Sequence, residues 1–116
     1  MLFTKSLKKN YQFRYVYNKG KSIANKYLVM YVVKNNSLEN YLGVSVSKKV
    51  GNSVVRSRVT RLIRENYRLS ETKLKNGYSI VVIARNPANG ASYQEINKAI
   101  HHLFSKHNLF NNSKSS

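Results

Sequence analysis

The chain contains no cysteine, no aspartate and no tryptophan in its 116 residues, and it has no long run of apolar side chains. Each gap closes a route. Without thiols there are no disulfides and no thiolate metal sites, so a reducing cytoplasm is the expected location. Glu39, Glu65, Glu71 and Glu95 are the only acids. Four scattered glutamates make a protein-borne two-metal nuclease site hard to assemble, and neither catalytic nor metal-binding residues are expected. His101, His102 and His107 lie far in sequence from any carboxylate pair and read as solvated residues on the polar face of a last helix. The lack of a long apolar run and of a purely amphipathic terminal helix argues against a membrane partner. The first residues, Met1 to Lys5, likewise lack the apolar stretch of a secretory signal.

What is abundant is positive charge. Twenty-one lysines and arginines against four acids give a formal charge of +17. So many cations repel one another without a polyanionic partner, and nucleic acid is the first candidate. The length suits one domain with a small core, expected over residues 1–110. The tail 111–116 is small, polar and expected to fray.

The pattern along the chain predicts an α/β sandwich of the α+β kind. Asn10 reads as a helix cap, followed by Tyr11 to Asn18 and a stop at Gly20. Lys21 to Val33 is rich in β-formers and is broken near Asn25. Tyr41 to Ser47 alternates Leu42, Val44 and Val46 with Gly43, Ser45 and Ser47, a strand with one face of small residues. Gly43 and the serines there leave room for something to lie close to the sheet. Asn76-Gly77 marks a turn, and Ile80 to Ile83 reads as a strand buried on both faces. Ser92 and Glu95 form a capping box ahead of Ile96, Ala99, Ile100, Leu103 and Phe104 at helical spacing. The expected order is α-β-β-β-α-β-α around a central four-stranded sheet, with the second helix as a crossover between strands that can run parallel.

That second helix carries the strongest signal. Lys48 to Arg68 holds two lysines, five of the seven arginines and one acid, Glu65. At about 100° per residue, Arg58, Arg61, Arg64 and Arg68 share one side, while Val55, Val59, Leu62 and Ile63 take the other. Guanidinium is planar, permanently charged and able to grip phosphate through two parallel hydrogen bonds. Arg61, Arg64 and Arg68 repel one another at i+3 and i+4, and phosphate would relieve that repulsion. The Gly51-Asn52-Ser53 start adds backbone N–H groups and a positive dipole end near Lys48 and Lys49. Phe13, Tyr17 and Tyr31 form a second constellation. Nine tyrosines on a very basic chain suit stacking of unpaired bases as well as ordinary core packing.

Gly43-Val44-Ser45-Val46-Ser47-Lys48-Lys49-Val50-Gly51-Asn52, followed by Val55-Arg56-Ser57-Arg58-Val59-Thr60-Arg61-Leu62-Ile63-Arg64-Glu65, closely resembles the signature of the bacterial ribonuclease P protein subunit. Leu7-Lys8-Lys9-Asn10 with Phe13, Ser22-Ile23-Ala24-Asn25 and Ala84-Arg85-Asn86-Pro87-Ala88 extend the match over nearly the whole chain. The resemblance implies a small basic protein bound to a large catalytic RNA, which with Mg²⁺ removes 5′ leaders from precursor tRNA. No membrane or protein partner is implied. The resembled fold crosses left-handed through the arginine helix, where general topology favours a right-handed connection. Carried over position by position, the family's arginine-rich motif falls on Arg56, Arg58, Arg61 and Arg64, flanked by Lys48, Lys49 and Arg68. The leader cleft falls on Phe13, Tyr17, Tyr31 and Ser45, and Phe110 corresponds to an aromatic near it. Ser57 and Thr60 depart from the Asn and Lys common at those places.

Two other readings of the same charge stay open at this point. One is a general RNA-binding or ribosome-associated protein with no leader cleft, in which Phe13, Tyr17 and Tyr31 would be core rings. The other is a protein-only nuclease.

Overall fold

A computed structural model describes residues 3–111. Its five-stranded sheet has the order β1-β4-β5-β3-β2. The strands are β1 (Thr4–Ser6), β2 (Lys21–Ala24), β3 (Leu28–Lys34), β4 (Asn40–Ser45) and β5 (Tyr78–Ala84), and the helices are α1 (Asn10–Lys19), α2 (Ser53–Ser70) and α3 (Tyr93–Lys106). β5 pairs in parallel with β4 and antiparallel with β3, and α2 lies between β4 and β5 in the chain.

The sheet therefore has five strands, not the expected four. The extra one, Thr-Lys-Ser, has no apolar alternation to announce it. It exists because β4 offers it a parallel edge, with Thr4 opposite Asn40 and Ser6 opposite Leu42. The Leu7 N–H continues the ladder to the Leu42 carbonyl at 2.9 Å, and Thr4 Oγ1 meets the hydroxyl of buried Tyr67 at 2.8 Å.

The period-two pattern sorts the strands into two cores. Leu28, Met30, Val32, Leu42, Ile80 and Val82 face α2 and α3, where Val59, Ile63, Tyr67, Ile96, Ile100, Leu103 and Phe104 complete the larger core. Alternate residues face α1 across the sheet. There Leu7, Val16 and Val81 are buried beneath Phe13, Tyr17, Tyr31 and Tyr41. The result is three layers: α1, the sheet, and the α2–α3 pair.

Several boundaries move by a residue or two. Lys9, not Asn10, is the cap of α1. Gln12 decides this, because its side-chain oxygen reaches back to accept the Lys8 and Lys9 N–H groups at 2.9 Å each. α1 stops at Gly20, where the backbone becomes extended, and only glycine fits there because a Cβ would lie 2.5 Å from the Val16 carbonyl oxygen. β4 ends at Ser45 rather than Ser47. The Val50 N–H bonds back to the Ser47 carbonyl, and this turn swings the chain into α2. The capping box of Ser92 and Glu95 forms as expected, with bonds of 2.9 and 3.1 Å. Gly77, at φ +91°, makes the turn into β5 that Asn76-Gly77 announced. Of the expected frayed tail, Asn111 donates its N–H to the Lys73 carbonyl at 2.7 Å, while 112–116 lie outside the described residues.

The histidines are not merely solvated. His101 is half-buried between Ser70 Oγ at 3.0 Å and the Asn97 carbonyl at 2.7 Å. His102 contacts the Asn25 amide, and His107 bonds the Met30 carbonyl at 2.9 Å. Burial pushes the His107 imidazole below its ordinary pKa. All three join α3 to its surroundings. Phe110 is also scaffold. It stacks on His101 at 6.0 Å and meets Phe104 edge-on at 5.8 Å, against the larger core and so on the opposite face of the sheet from Phe13 and Tyr17.

Gly43 has a measurable role. A Cβ at this position would sit 2.5 Å from Cε1 of Phe13 and 2.7 Å from Cζ. The space that the small residue leaves is filled by the protein's own ring. Gly43→Ala is expected to cost about 1 kcal/mol, because the ring can swing aside but gives up contact with the sheet. Thermal unfolding would show this as a drop of about 4–8 °C.

Candidate nucleic-acid interface

α1 and the sheet build the first part of the candidate interface. Residues 13 and 17 are one helical turn apart, so Phe13 and Tyr17 come off one flank of α1. They reach the sheet where β4 ends. Asn10, Phe13, Arg14, Tyr17, Val44 and Ser45 surround a cleft of about 370 Å³. Tyr31, on β3, does not line this cleft; it packs against Tyr17, with ring centroids 5.1 Å apart and steeply inclined at 70°. Phe13 and Tyr17 lie 6.4 Å apart at a tilt of 47°. Burial raises the Tyr17 hydroxyl above its ordinary pKa, outweighing the opposite influence of neighbouring Ser45. All four predicted cleft residues are half-buried: packed at one side and open at the other.

Sequence reasoning missed Asn10 and Arg14 as cleft residues. Asn10 passed for a cap. Arg14 follows Phe13 directly and is the only arginine on α1, which was the available signal.

α2 builds the second part. Asn52 caps it by accepting the Val55 N–H at 3.0 Å, so one of the start's backbone donors is already spent. Lys48 and Lys49 stand exposed in the turn just before it. Val59, Ile63 and Tyr67 are fully buried, which turns Arg61, Arg64 and Arg68 outward around a cavity of about 580 Å³ shared with Leu62 and Glu65.

The expected row of four arginines is not uniform. Arg58 leaves it. Its Nη2 donates to the Ala91 carbonyl at 2.8 Å and so ties α2 to the loop before α3. Arg68 is engaged by Glu65 through bonds of 3.0 and 2.8 Å. The Arg68 hydrogen bond holds the Glu65 carboxyl below the usual range, and the same pairing raises the arginine. The repulsion along the helix is therefore already relieved at Arg68 and persists between Arg61 and Arg64. Arg56 lies on the other flank, half-buried, and its Nε is buried without a hydrogen-bond partner. Thr60, one of the two atypical positions, spends its hydroxyl on the Arg56 carbonyl at 2.8 Å, and Ser57 is exposed.

Among the described residues, no three His, Cys, Asp or Glu side chains come together to hold a metal ion, and no helix is long and apolar enough to cross a membrane. Cations on one helix and half-open aromatic rings beside a sheet, in a domain charged to +17, define a small basic RNA-binding protein.

Kinship makes the assignment specific. The family model for ribonuclease P matches residues 1–108. The ribonuclease P protein component of Lachnoclostridium phytofermentans is 53% identical over 111 residues, 96% of each chain. That of Clostridium acetobutylicum is 54% identical over 105 residues, 89% of this chain and 88% of its own. The RNase P protein of Staphylococcus aureus superposes with a TM-score of 0.85 at 37% identity, covering 91% of this chain and 97% of that one. For the Thermotoga maritima protein the TM-score is 0.80 at 25% identity, with 88% and 96% covered. The chain belongs to the ribonuclease P protein family. It is the protein component of an endoribonuclease holoenzyme, partners the ribonuclease P RNA, binds precursor tRNA and serves tRNA 5′ processing. A general RNA-binding or ribosome-associated role no longer accounts for the chain.

Proposed function

We propose that the cleft of Phe13, Tyr17, Tyr31 and Ser45 receives the single-stranded 5′ leader of precursor tRNA, and that α2 with Lys48 and Lys49 holds the catalytic RNA. The observation that carries this reading is one solvent-open cleft lined by Phe13 and Tyr17 from α1 and Ser45 from β4, with Tyr31 of β3 packed edge-on against Tyr17. Stacking on an unpaired base needs a ring face that is fixed yet exposed. Phe13 rests against Gly43, and Tyr17 is held edge-on by Tyr31. Arg14 adds a cation for a leader phosphate at the same cleft. At α2, Arg61 and Arg64 are the arginines least committed to protein partners. Arg58 and Arg68 belong to the same surface but act partly within the protein. In this reading the Mg²⁺ ions used in hydrolysis are carried by the RNA, and the holoenzyme works in the cytoplasm.

The α2 assignment is tested by salt. If roughly five to eight phosphates are neutralised, log K for the catalytic RNA falls against log salt with a slope of about −4 to −7. Arg61→Ala and Arg64→Ala should each flatten that slope by about one unit. Arg58→Ala should chiefly lower the unfolding temperature, because it removes the tie to Ala91. Titrations over a salt series check both expectations. Unchanged slopes in the Arg61 and Arg64 variants would make α2 an ordinary solvated face.

A further inference from the structure

α1 lies on the sheet with a groove along each flank. One is the cleft of Phe13 and Tyr17. The other, of about 380 Å³, is walled by Tyr11, Gln12, Tyr15, Asn35, Asn36 and Tyr41 above buried Leu7 and Val16. Neither leader binding nor the arginine helix uses it.

The fold does not demand the rings of Tyr11 and Tyr15. Tyr11 is 64% exposed and Tyr15 52%. Among the described residues, Tyr11 and Tyr15 meet no other aromatic ring and are largely exposed, whereas half-buried Tyr41 packs on the small core at the base of the groove. Hydrogen-bonding groups stand beside them. Gln12 spends its oxygen on the Lys8 and Lys9 N–H groups, which fixes the side chain and leaves its NH₂ donors unspent. Asn36 is exposed in left-handed backbone at φ +58°. Its position is fixed by Asn35, which donates to the Glu39 carbonyl and to Ser79 Oγ and accepts the Ser37 N–H. Charge agrees in sign. No acid lines the groove, Glu39 nearby is paired with Lys5, and exposed Lys8, Lys9 and Lys34 adjoin it in the chain. Open π faces, rigid amides and surrounding cations together match a base with its phosphates. A duplex hides its base faces, so the match is to an unpaired nucleotide.

We propose that this groove is a second stacking site, which holds an unpaired nucleotide of single-stranded RNA on the far side of α1 from the leader cleft. The nucleotide can belong to the upstream part of a leader or to an unpaired stretch of the catalytic RNA. The two sources present the same chemistry.

The test titrates the full chain with a short fluorescent oligoadenylate. Replacing both Tyr11→Leu and Tyr15→Leu should weaken binding about fivefold or more, the loss of at least one stacking contact. The Tyr11→Phe, Tyr15→Phe pair keeps the rings and should bind within about twofold of the parent. Unfolding temperatures should agree across the set, because both rings are exposed. Tyr17→Leu, run alongside, reports the other cleft. Loss with Tyr17→Leu but none with the leucine pair overturns the second site. Loss with the leucine pair alone keeps it and removes the leader-cleft reading instead. The source is then assigned with reconstituted holoenzyme. Weaker binding of the catalytic RNA places the nucleotide there, whereas weaker binding only of precursors with long leaders places it in the leader. If the leucine pair leaves oligoadenylate binding intact and instead abolishes self-association in sedimentation, the groove is a contact between copies of this chain and the proposal fails.

Discussion

Purified chain, free of RNA, is expected to leave precursor tRNA intact in Mg²⁺-containing buffer, and addition of the ribonuclease P RNA is expected to restore cleavage. The reason lies in what the four carboxylates already do. Glu39 pairs with Lys5 at 3.4 Å. Glu65 grips Arg68. Glu71 is buried and accepts the Phe3 N–H at 2.9 Å. Glu95 caps α3 and accepts the Tyr27 hydroxyl at 2.7 Å. A two-metal site for phosphodiester hydrolysis needs carboxylates converging on ions about 4 Å apart. These four are dispersed over three regions of the fold, each with a structural task. The measurement is a single-turnover time course on 5′-labelled precursor, with and without RNA. Brisk cleavage by RNA-free protein would revive the protein-only nuclease and demand a site that these side chains do not form.

The second large effect concerns the leader. Removing the Tyr17 or the Tyr31 ring should weaken precursor tRNA binding to the holoenzyme by about 1–2 kcal/mol each, one stacking contact apiece. Mature tRNA, which lacks the leader, should bind almost as before. The structure changes how this is best done. Both rings pack on Leu7, Val16 and Val81, and they touch each other with centroids 5.1 Å apart. Alanine would remove packing together with the stacking face and confuse stability with binding. Tyr17→Leu and Tyr31→Leu keep apolar volume at the small core while deleting the π face. Because the rings are in contact, the double variant should lose less than the sum of the singles. Paired affinities for precursor and mature tRNA, with unfolding temperatures as a control, separate the outcomes. Equal losses for both tRNAs would make these rings scaffold and place the leader elsewhere.

The three-layer arrangement explains how so small a chain presents both surfaces. α1 covers one sheet face incompletely, which leaves its aromatic flanks half-open. α2 and α3 cover the other face, and burying Val59, Ile63 and Tyr67 turns Arg61, Arg64 and Arg68 outward. The sheet links the two, since Ser45 ends β4 immediately ahead of the Lys48–Lys49 turn that leads into α2.

Much of this was legible in the chain. The strand of Ile80 to Ile83, the capping box of Ser92 and Glu95, and the buried stripe of α3 are local patterns, and burial has one way to satisfy them. The polyanionic partner was equally legible, because charge is a sum over residues that no fold can alter. What periodicity could not supply was anything set by a distant partner. β1 is a strand only because β4 lends it hydrogen bonds. Arg58 and Arg68 look equivalent to Arg61 and Arg64 on a helical projection, until the Ala91 carbonyl claims one and Glu65 the other. Gly43 announced a close approach, but only the packing of α1 decided that Phe13 makes it. Composition and spacing determined the elements, their faces and the class of partner. Tertiary structure decided which side chains remain free to meet it, because a hydrogen bond between residues far apart in sequence depends on three-dimensional position and leaves no periodic trace in the chain.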